Sequence, residues 1–268
     1  MQEISILGCG WLGLPLAKTL LTKGYSVKGS TTSEGKLTII ESHGIRPFLI
    51  SLSQQGIQGE IEDFLNHSKI LIIDIPPKLR GAEKESFVVK IQNLIPYIES
   101  ANVSKVIFIS STSVYADDNT VVTEATVAVP DTESGAQLLQ AELSLRNNKH
   151  FVTTIIRFSG LIGDDRHPVH FLAGRADIEN PNGPVNFIHQ QDCIGIILRI
   201  IEKDCWNQVF NAATPYHPNR EAYYTQKALA AQLIPPVFNH EKKSVGKTIA
   251  STKLEHELGY RFLVTNTI

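Results

Sequence analysis

Short apolar segments separated by amphipathic stretches run along most of the chain. Leu12, Leu16 and Leu20 recur every four residues, and this spacing predicts a helix with one buried face. The segment ILIIDI is apolar almost throughout, which is typical of a strand that is covered on both faces of a sheet. The pattern predicts seven strands, at residues 4–7, 25–30, 46–50, 69–75, 105–110, 151–157 and 208–212.

Helices are predicted in the connections between these strands. Amphipathic stretches at 61–67, 83–101 and 134–147 supply crossovers, and Pro96 is expected to kink or shorten the second of them. Strands that alternate with helices in this way form a parallel, doubly wound sheet. The sequence therefore predicts an α/β fold of the Rossmann type.

The regular alternation ends after Arg157. The segments GDDRHP and ENPNGP are rich in turn residues, and a short strand VNFIH, a helix over 190–203 and a terminal strand–helix unit follow. We expect a dinucleotide-binding domain over residues 1–158 and a smaller substrate-binding lobe over 159–268. The strand at 208–212 is expected to return to the main sheet.

Composition and charge favour a globular protein and give no sign of a nucleic-acid-binding or membrane-spanning one. Of the 268 residues, 42% are hydrophobic and 19% are charged, which is typical of a globular chain. A net charge of −2 gives no attraction for nucleic acid or anionic lipid, and no apolar run approaches the roughly 18 residues of a membrane span. There is no signal-peptide pattern, and the three cysteines show no CxxC spacing. A cytoplasmic protein with reduced thiols and no metal site is expected.

The opening stretch ISILGCGWLG contains a G-x-G-x-x-G motif between the first strand and the first helix. Gly8 allows a tight turn, Gly10 lets the backbone approach a pyrophosphate, and Gly13 lets the helix pack closely on the strand. The helix N-terminus offers free N–H groups and a partial positive charge to the phosphates. A dinucleotide site that includes Trp11 and Leu12 is predicted; the alternative is a glycine-rich turn that only packs.

The end of the second strand bears on the choice between NADP and NAD. An acidic residue normally holds the ribose 2′-hydroxyl of NAD at this place. Here residues 28–33 read KGSTTS, and the first carboxylate is Glu34. The hydroxyl groups of Thr31 and Thr32, with Lys36 nearby, suit a 2′-phosphate, so NADP is favoured over NAD. The alternative is a solvated loop of small polar residues.

Later segments form an ordered set of motifs. SSTSVY follows the fifth strand, and IIRFSGLIGDDRHP, FIHQQD, VFNAATPYHPNREAYY and TKLEHELGYRF come after it. Together they resemble the extended short-chain dehydrogenase/reductase family, the group of nucleotide-sugar epimerases and dehydratases. The G-C-G-W-L-G loop is similar to that of an atypical branch, the nucleoside-diphosphate-sugar epimerase-like proteins. The resemblance covers nearly the whole chain and implies the fold and a nicotinamide dinucleotide, but does not name a substrate.

The same resemblance places the family's active-site residues on this chain. It puts the catalytic serine at Ser111, whose hydroxyl would bond to a substrate carbonyl or hydroxyl, and it puts Ser110 beside the cofactor. The family's Y-x-x-x-K pair maps to Ser134 and Leu138, so both of its members are missing. Tyr115 is the nearest candidate for proton transfer, and the alternative is a packing or substrate-facing tyrosine.

A few other polar residues lie near the predicted site. Asp74 and Pro76 follow the fourth strand and are expected to contact the cofactor, unless they only form a turn. Arg157 is expected either to bind substrate or to form a buried ion pair. For His189 and Asp192 the favoured interpretation is structural: the first ends a strand and the second caps the following helix.

Two functions of different class follow from these features. The first is an NAD(P)-dependent oxidoreductase or epimerase, with a nucleotide sugar as the substrate class. The second is a dinucleotide-binding sensor or interaction protein with little turnover, which the missing tyrosine and lysine favour. A hydroxyacid dehydrogenase related to the 6-phosphogluconate enzymes would need a long all-helical C-terminal half, which this sequence lacks. The substrate, the reaction direction and the oligomeric state stay open.

Overall fold

A computed structural model of the protein describes residues 2–77, 79 and 85–265. Short 3₁₀ turns occupy Glu34–Lys36 and Thr112–Val114. The strands are β1 (Glu3–Leu7), β2 (Ser26–Thr31), β3 (Arg46–Leu49), β4 (Ser51–Ser53), β5 (Gly56–Gln58), β6 (Ile70–Ile73), β7 (Lys105–Ser111), β8 (Val121–Val122), β9 (Val152–Phe158), β10 (Gly160–Ile162), β11 (Phe187–His189), β12 (Val209–Ala212) and β13 (Thr248–Ile249). The helices are α1 (Gly13–Thr22), α2 (Leu37–Ser42), α3 (Ile61–Leu65), α4 (Phe87–Ser100), α5 (Glu133–Arg146), α6 (Val169–Leu172), α7 (Gln190–Glu202), α8 (Arg220–Ala230) and α9 (Thr252–Leu258).

Seven parallel strands form the central sheet, in the order β12-β9-β7-β6-β1-β2-β3. All seven strands predicted from the sequence take part in it, so the doubly wound Rossmann-type fold is confirmed. The direction in which successive strands are added reverses between β1 and β6. In open α/β sheets a ligand binds outside the carboxyl ends of the strands at such a switch point. The fold therefore predicts a ligand site at the carboxyl ends of β1 and β6.

Apolar residues cover both faces of this sheet. Leu16 and Leu20 of α1 pack with Ile196 and Ile200 of α7 on one face, and α9 joins them. Helices α3, α4 and α5 cover the other face. Both faces of the strands are buried, which explains why the strand segments read as continuous apolar runs.

Helix α4 differs in one respect from the stretch that the sequence predicts. Residues 83 and 84 of that stretch lie outside the described residues, and the helix begins at Phe87 after the Ser86 cap, whose hydroxyl accepts from the Val89 amide at 3.3 Å. The helix continues through Pro96 to Ser100, so the expected shortening is wrong. Pro96 lies on the exposed face, where the carbonyl that it leaves without a donor can be solvated.

A third hydrophobic cluster, separate from the two that cover the sheet, forms after β9 and is called the smaller lobe below. Its core is an aromatic cluster in which the ring centroid of Tyr223 lies 5.5 Å from that of Phe187 and 5.4 Å from that of Tyr224. Helix α7 packs on the main sheet rather than in this lobe, and β12 pairs with β9 at the sheet edge. The two parts therefore alternate along the sequence after β9, and the division at residue 158 stays a prediction.

No helix in the described ranges combines the length and the hydropathy that crossing a lipid bilayer would require.

Candidate functional site

The loop after β1 makes a tight turn in which two glycines are required. Gly8 has a φ of 110°, and a Cβ added to it would overlap the carbonyl oxygen of Asp74. A Cβ on Gly13 would overlap the carbonyl oxygen of Gly8, so α1 approaches the strand closely only with glycine here. The Gly8 amide donates to Ser30 Oγ at 3.0 Å, which ties the loop to β2.

Gly10 is placed differently from the other two glycines of the motif. A Cβ added to it meets no atom within 4 Å, and the residue lines a pocket of about 390 Å³. Trp11 and Leu12 lead from it into α1, whose Leu14 amide donates to the Gly10 carbonyl at 3.1 Å. The backbone at Gly10 therefore leaves space beside a helix N-terminus, an arrangement that binds phosphate groups well.

The pocket continues from this loop along the carboxyl ends of β2 and β6. Its apolar lining includes Ile50, Leu52 and Phe87, which suits a flat aromatic group such as adenine. Leu52 belongs to the β4–β5 hairpin, which the sequence analysis did not predict. The Asn93 side-chain amide of α4 donates to the carbonyl of Ser53 at 3.2 Å and holds the hairpin in place.

Hydroxyl and ammonium groups line the pocket at the end of β2. Thr32 and Lys36 are exposed there. Thr32 lies just before the 3₁₀ turn, and Lys36 is the last residue of that turn. Thr31 is buried, and its Oγ1 accepts from the Ser33 amide at 3.1 Å, so this hydroxyl first of all shapes the turn. Glu34 is exposed on the same turn. The three residues of the NADP prediction thus lie together, two of them open to a ligand.

Two carboxylates also line this pocket. Glu85 is paired with Lys90 at 2.6 Å. Asp74 follows β6, and burial raises the pKa of its carboxyl to about 7, although an N–H donated by Gly13 partly opposes the shift. Pro76, the other candidate after β6, lines the pocket as well. The structure therefore brings Asp74 and Pro76 to the site together with the glycine loop.

Cys9, inside the glycine motif, is a packing residue. Its side chain is buried, and burial with the nearby Asp74 charge raises the pKa of the thiol to about 12. The thiol therefore stays protonated near neutrality and is a poor nucleophile.

The end of β7 carries the predicted catalytic serine. Ser111 is half-buried, and its Oγ accepts from the Ser113 amide at 3.1 Å, which leaves the hydroxyl proton free to be donated to another acceptor. Ser110 differs, because its buried hydroxyl donates to Glu142 at 2.6 Å. The cofactor contact expected of the Ser110 side chain is therefore replaced by a bond to the helix.

Tyr115 and Arg157 belong to a buried network. Tyr115 is only 1% exposed, and its hydroxyl accepts from Arg157 Nη1 at 2.6 Å and donates to Asn211 at 3.0 Å. Arg157 also forms a two-pronged ion pair with Glu142, with an Nη2–Oε2 distance of 2.6 Å. Burial raises the pKa of Tyr115, so it holds its proton tightly. These contacts favour the alternatives that the sequence left open, a packing tyrosine at Tyr115 and a buried ion pair at Arg157.

The positions of the missing tyrosine and lysine lie on α5, next to this strand end. A Cβ on Gly135 would overlap the carbonyl oxygen of Ser113, so the helix and the Ser111 segment are in direct contact. Ser134 is half-buried in the first turn. Leu138 is 4% exposed and packs in the core on this face of the sheet. The position to which the resemblance maps the lysine is therefore part of the hydrophobic core.

Trp11 connects the glycine loop to the smaller lobe. Its indole N–H donates to Asp165 at 2.8 Å, and the Arg166 guanidinium lies 5.0 Å from the ring centroid. Gln190 donates to the Trp11 carbonyl at 2.6 Å. The turn-rich loop at 163–166 is thus held against the glycine motif.

The roles expected of His189 and Asp192 are partly corrected. The cap of α7 is His189, whose Nδ1 accepts from the Gln191 amide at 3.3 Å. Asp192 is fully buried in the first turn and accepts from the Leu263 amide at 2.7 Å and from the Tyr260 hydroxyl at 2.8 Å. Asp192 therefore anchors the segment after α9, a long-range role that local spacing could not show.

Among the described residues, no group of three or more histidine, cysteine, aspartate or glutamate side chains is arranged to hold a metal ion.

The chain is similar to known proteins both in sequence and in structure. No protein-family model matches the chain. It is 33% identical to the protein YeeZ of Escherichia coli strain K12 over 264 residues, which are 98% of this chain and 96% of YeeZ. The UDP-glucose 4-epimerase of Thermotoga maritima superimposes with a TM-score of 0.82 at 17% identity, covering 98% of this chain and 94% of the epimerase. The UDP-glucuronic acid 4-epimerase of Bacillus cereus, solved in complex with NAD, superimposes with a TM-score of 0.80 at 18% identity, covering 98% and 92%.

Proposed function

Because this chain belongs to the family of the protein YeeZ and has the fold of the NAD-dependent epimerases and dehydratases, we propose that it binds a nicotinamide dinucleotide along the carboxyl ends of β1, β2 and β6. The observation that supports this most directly is the pocket at Gly10, where a helix N-terminus, an apolar slot and the hydroxyls of β2 line one continuous space. Gly8, Gly13, Trp11 and Leu12 shape its phosphate end.

We further propose that the dinucleotide is NADP rather than NAD. Thr32 and Lys36 are open to the pocket where the 2′-phosphate would lie, and Glu34, the first carboxylate along the chain after β2, is exposed on the turn and does not line the pocket. A lysine beside a phosphate makes a charge-assisted contact, whereas NAD offers only a hydroxyl at this place.

Lys36→Ala is expected to lower NADP affinity about tenfold, because a charge-assisted hydrogen bond is worth about 1.5–3 kcal/mol, and to leave NAD affinity unchanged. Isothermal titration with both dinucleotides at fixed salt measures the difference. Lys18→Ala is the matched control, since Lys18 is exposed on α1 and does not line the pocket. A wild-type protein that binds NAD more tightly than NADP would contradict the assignment.

The proposed reaction is an oxidoreductase or epimerase reaction on a nucleotide sugar. The nicotinamide ring supplies hydride transfer when it is bound. Ser111 would donate a hydrogen bond to the substrate oxygen, since its proton is not used by the Ser113 contact. General acid–base catalysis is typically worth about 10²–10⁴-fold, so without the tyrosine and lysine we expect turnover slower than in the family by roughly that factor.

Ser111→Ala is expected to lower any measured turnover by about two- to tenfold, because one neutral hydrogen bond is worth roughly 0.5–1.5 kcal/mol. The assay follows nicotinamide absorbance with UDP-glucose and UDP-glucuronic acid under single-turnover conditions. Ser113→Ala serves as the control, since its backbone amide and not its side chain contacts Ser111. A rate that Ser111→Ala leaves untouched would move the active site away from β7.

The second candidate is a dinucleotide sensor with little or no turnover. The burial of Leu138 and of Tyr115 favours it, because neither position can supply a proton to a bound substrate. Tight NADP binding with no reaction on any nucleotide sugar would favour this candidate over the first. In either case we place the protein in the cytosol, where the free Cys9, Cys193 and Cys205 would stay reduced.

A further inference from the structure

Asp74 occupies an unusual place in the dinucleotide pocket. It follows β6 directly, beside the end of β1, and its own amide donates to the Leu7 carbonyl at 2.9 Å. Its carboxyl accepts an N–H from Gly13, the first residue of α1. Oδ2 lies 3.2 Å from the position that a Cβ on Gly13 would occupy. A carboxyl group therefore lies beneath the glycine loop, at the helix N-terminus where a phosphate is expected to bind.

A charged carboxylate in this position would oppose the ligand. The helix N-terminus favours one anion, and Asp74 already uses part of that stabilisation. A bound pyrophosphate brings two further negative charges to the same end of the pocket, and like charges at such separations repel strongly away from bulk water. A protonated carboxyl removes the repulsion and offers an O–H donor in its place.

The groups around Asp74 do little to keep it charged. Cys9 of the glycine loop and Cys193 of α7 face it, and burial raises the pKa of both thiols, so neither carries positive or negative charge near neutrality. In the described part of the chain the one group that favours the carboxylate is the Gly13 amide. The charged residues elsewhere in the lining are Lys36, Glu85 and Lys90, the last two paired with each other.

We propose that Asp74 binds the pyrophosphate of the dinucleotide as a neutral acid that donates a hydrogen bond, so that binding takes up one proton. This inference rests on the proposed function of the pocket. The carboxyl pKa of about 7 places the change near neutral pH. The protonated form predominates below that pKa, so affinity should be highest at low pH. Above it, affinity should fall by up to about tenfold for each pH unit.

Calorimetric titration of the wild-type protein with NAD from pH 6 to pH 9 tests the proposal. NAD is the probe because it lacks the 2′-phosphate, whose own ionisation near pH 6 would confuse the result. Affinity should be flat below about pH 6.5 and fall towards tenfold per unit above pH 7.5. Binding heats in two buffers of different ionisation enthalpy should show nearly one proton taken up at pH 8 and almost none at pH 6.

Asp74→Asn provides the comparison, since the amide keeps an acceptor for Gly13 and a donor for phosphate. Its NAD affinity should not vary with pH and should exceed that of wild type at pH 8.5. If the variant fails to fold, the proton uptake measured for the wild-type protein is sufficient by itself to test the proposal. Wild-type NAD binding that is independent of pH overturns this inference and leaves the proposed function intact. No binding of NAD or NADP by either protein at any pH overturns both.

Discussion

Replacing Gly10 by valine is expected to weaken NAD and NADP binding more than about a hundredfold, because it should remove at least two charge-assisted hydrogen bonds to phosphate, each worth about 1.5–3 kcal/mol. A Cβ at Gly10 meets no protein atom within 4 Å and Gly10 lines the pocket, so we expect a valine there to occupy the space that the pyrophosphate needs. Folding should be unaffected for the same reason. Titration calorimetry and a thermal melt on the same samples measure the two effects separately.

Gly35→Val is the control for this experiment. A Cβ on Gly35 also meets nothing within 4 Å, but the residue does not line the pocket. Gly8→Val would be a poor choice for this experiment. The positive φ of Gly8 and its contact with the Asp74 carbonyl mean that a side chain there would disturb folding as well as binding. Full affinity in Gly10→Val would exclude the glycine loop as the phosphate site.

Glu142→Leu is expected to cost about 3–5 kcal/mol of folding free energy, since it leaves the buried Arg157 guanidinium without its carboxylate. Arg157 is 6% exposed and Glu142 is 1% exposed, so water cannot replace the lost partner. The double variant Glu142→Leu with Arg157→Met should recover most of the loss, because no unpaired charge then remains. Urea unfolding followed by circular dichroism gives the free energies.

The matched surface pair is Lys242 with Glu179, at 2.6 Å and largely exposed. Glu179→Leu should cost much less than Glu142→Leu, since solvent screens both charges. Equal losses at the two sites, or a double variant less stable than Glu142→Leu, would show that the buried pair is not the source of the effect.

The fold could be predicted from the sequence because its signals are local. The inner strands β6 and β7 contain the apolar runs ILII and VIFI, and the glycine spacing marks the first turn and the helix after it. The β4–β5 hairpin escaped prediction, because three-residue strands such as SLS and GIQ carry no apolar run, yet Leu52 of this hairpin lines the pocket. The continuation of α4 through Pro96 was also missed, because it depends on this residue lying on the exposed face of the helix, which the proline itself does not reveal.

The candidate site could be predicted only in part. Glycine positions follow from backbone sterics, so Gly8, Gly10 and Gly13 could be assigned roles from spacing alone. The partners of Tyr115 and Asp192 lie 42 and 71 residues away along the chain, at Arg157 and Leu263. No local pattern predicts such contacts, and they decide whether a polar side chain faces a substrate or the core. The unusual pKa of Asp74 likewise depends on burial beneath a loop that is distant in sequence.

The burial of Leu138 limits how this site could be redesigned. A lysine at this position would place an ammonium group in the core beside Ala141 and Leu145, so Leu138→Lys alone would damage folding before it added any catalysis. Ser134→Tyr alone would gain nothing, because the tyrosine would lack the lysine that makes it acidic. The two steps towards a Tyr–Lys pair are each unfavourable in isolation. Installing such a pair would therefore require both substitutions together with a smaller neighbour that makes room for the lysine side chain in the core.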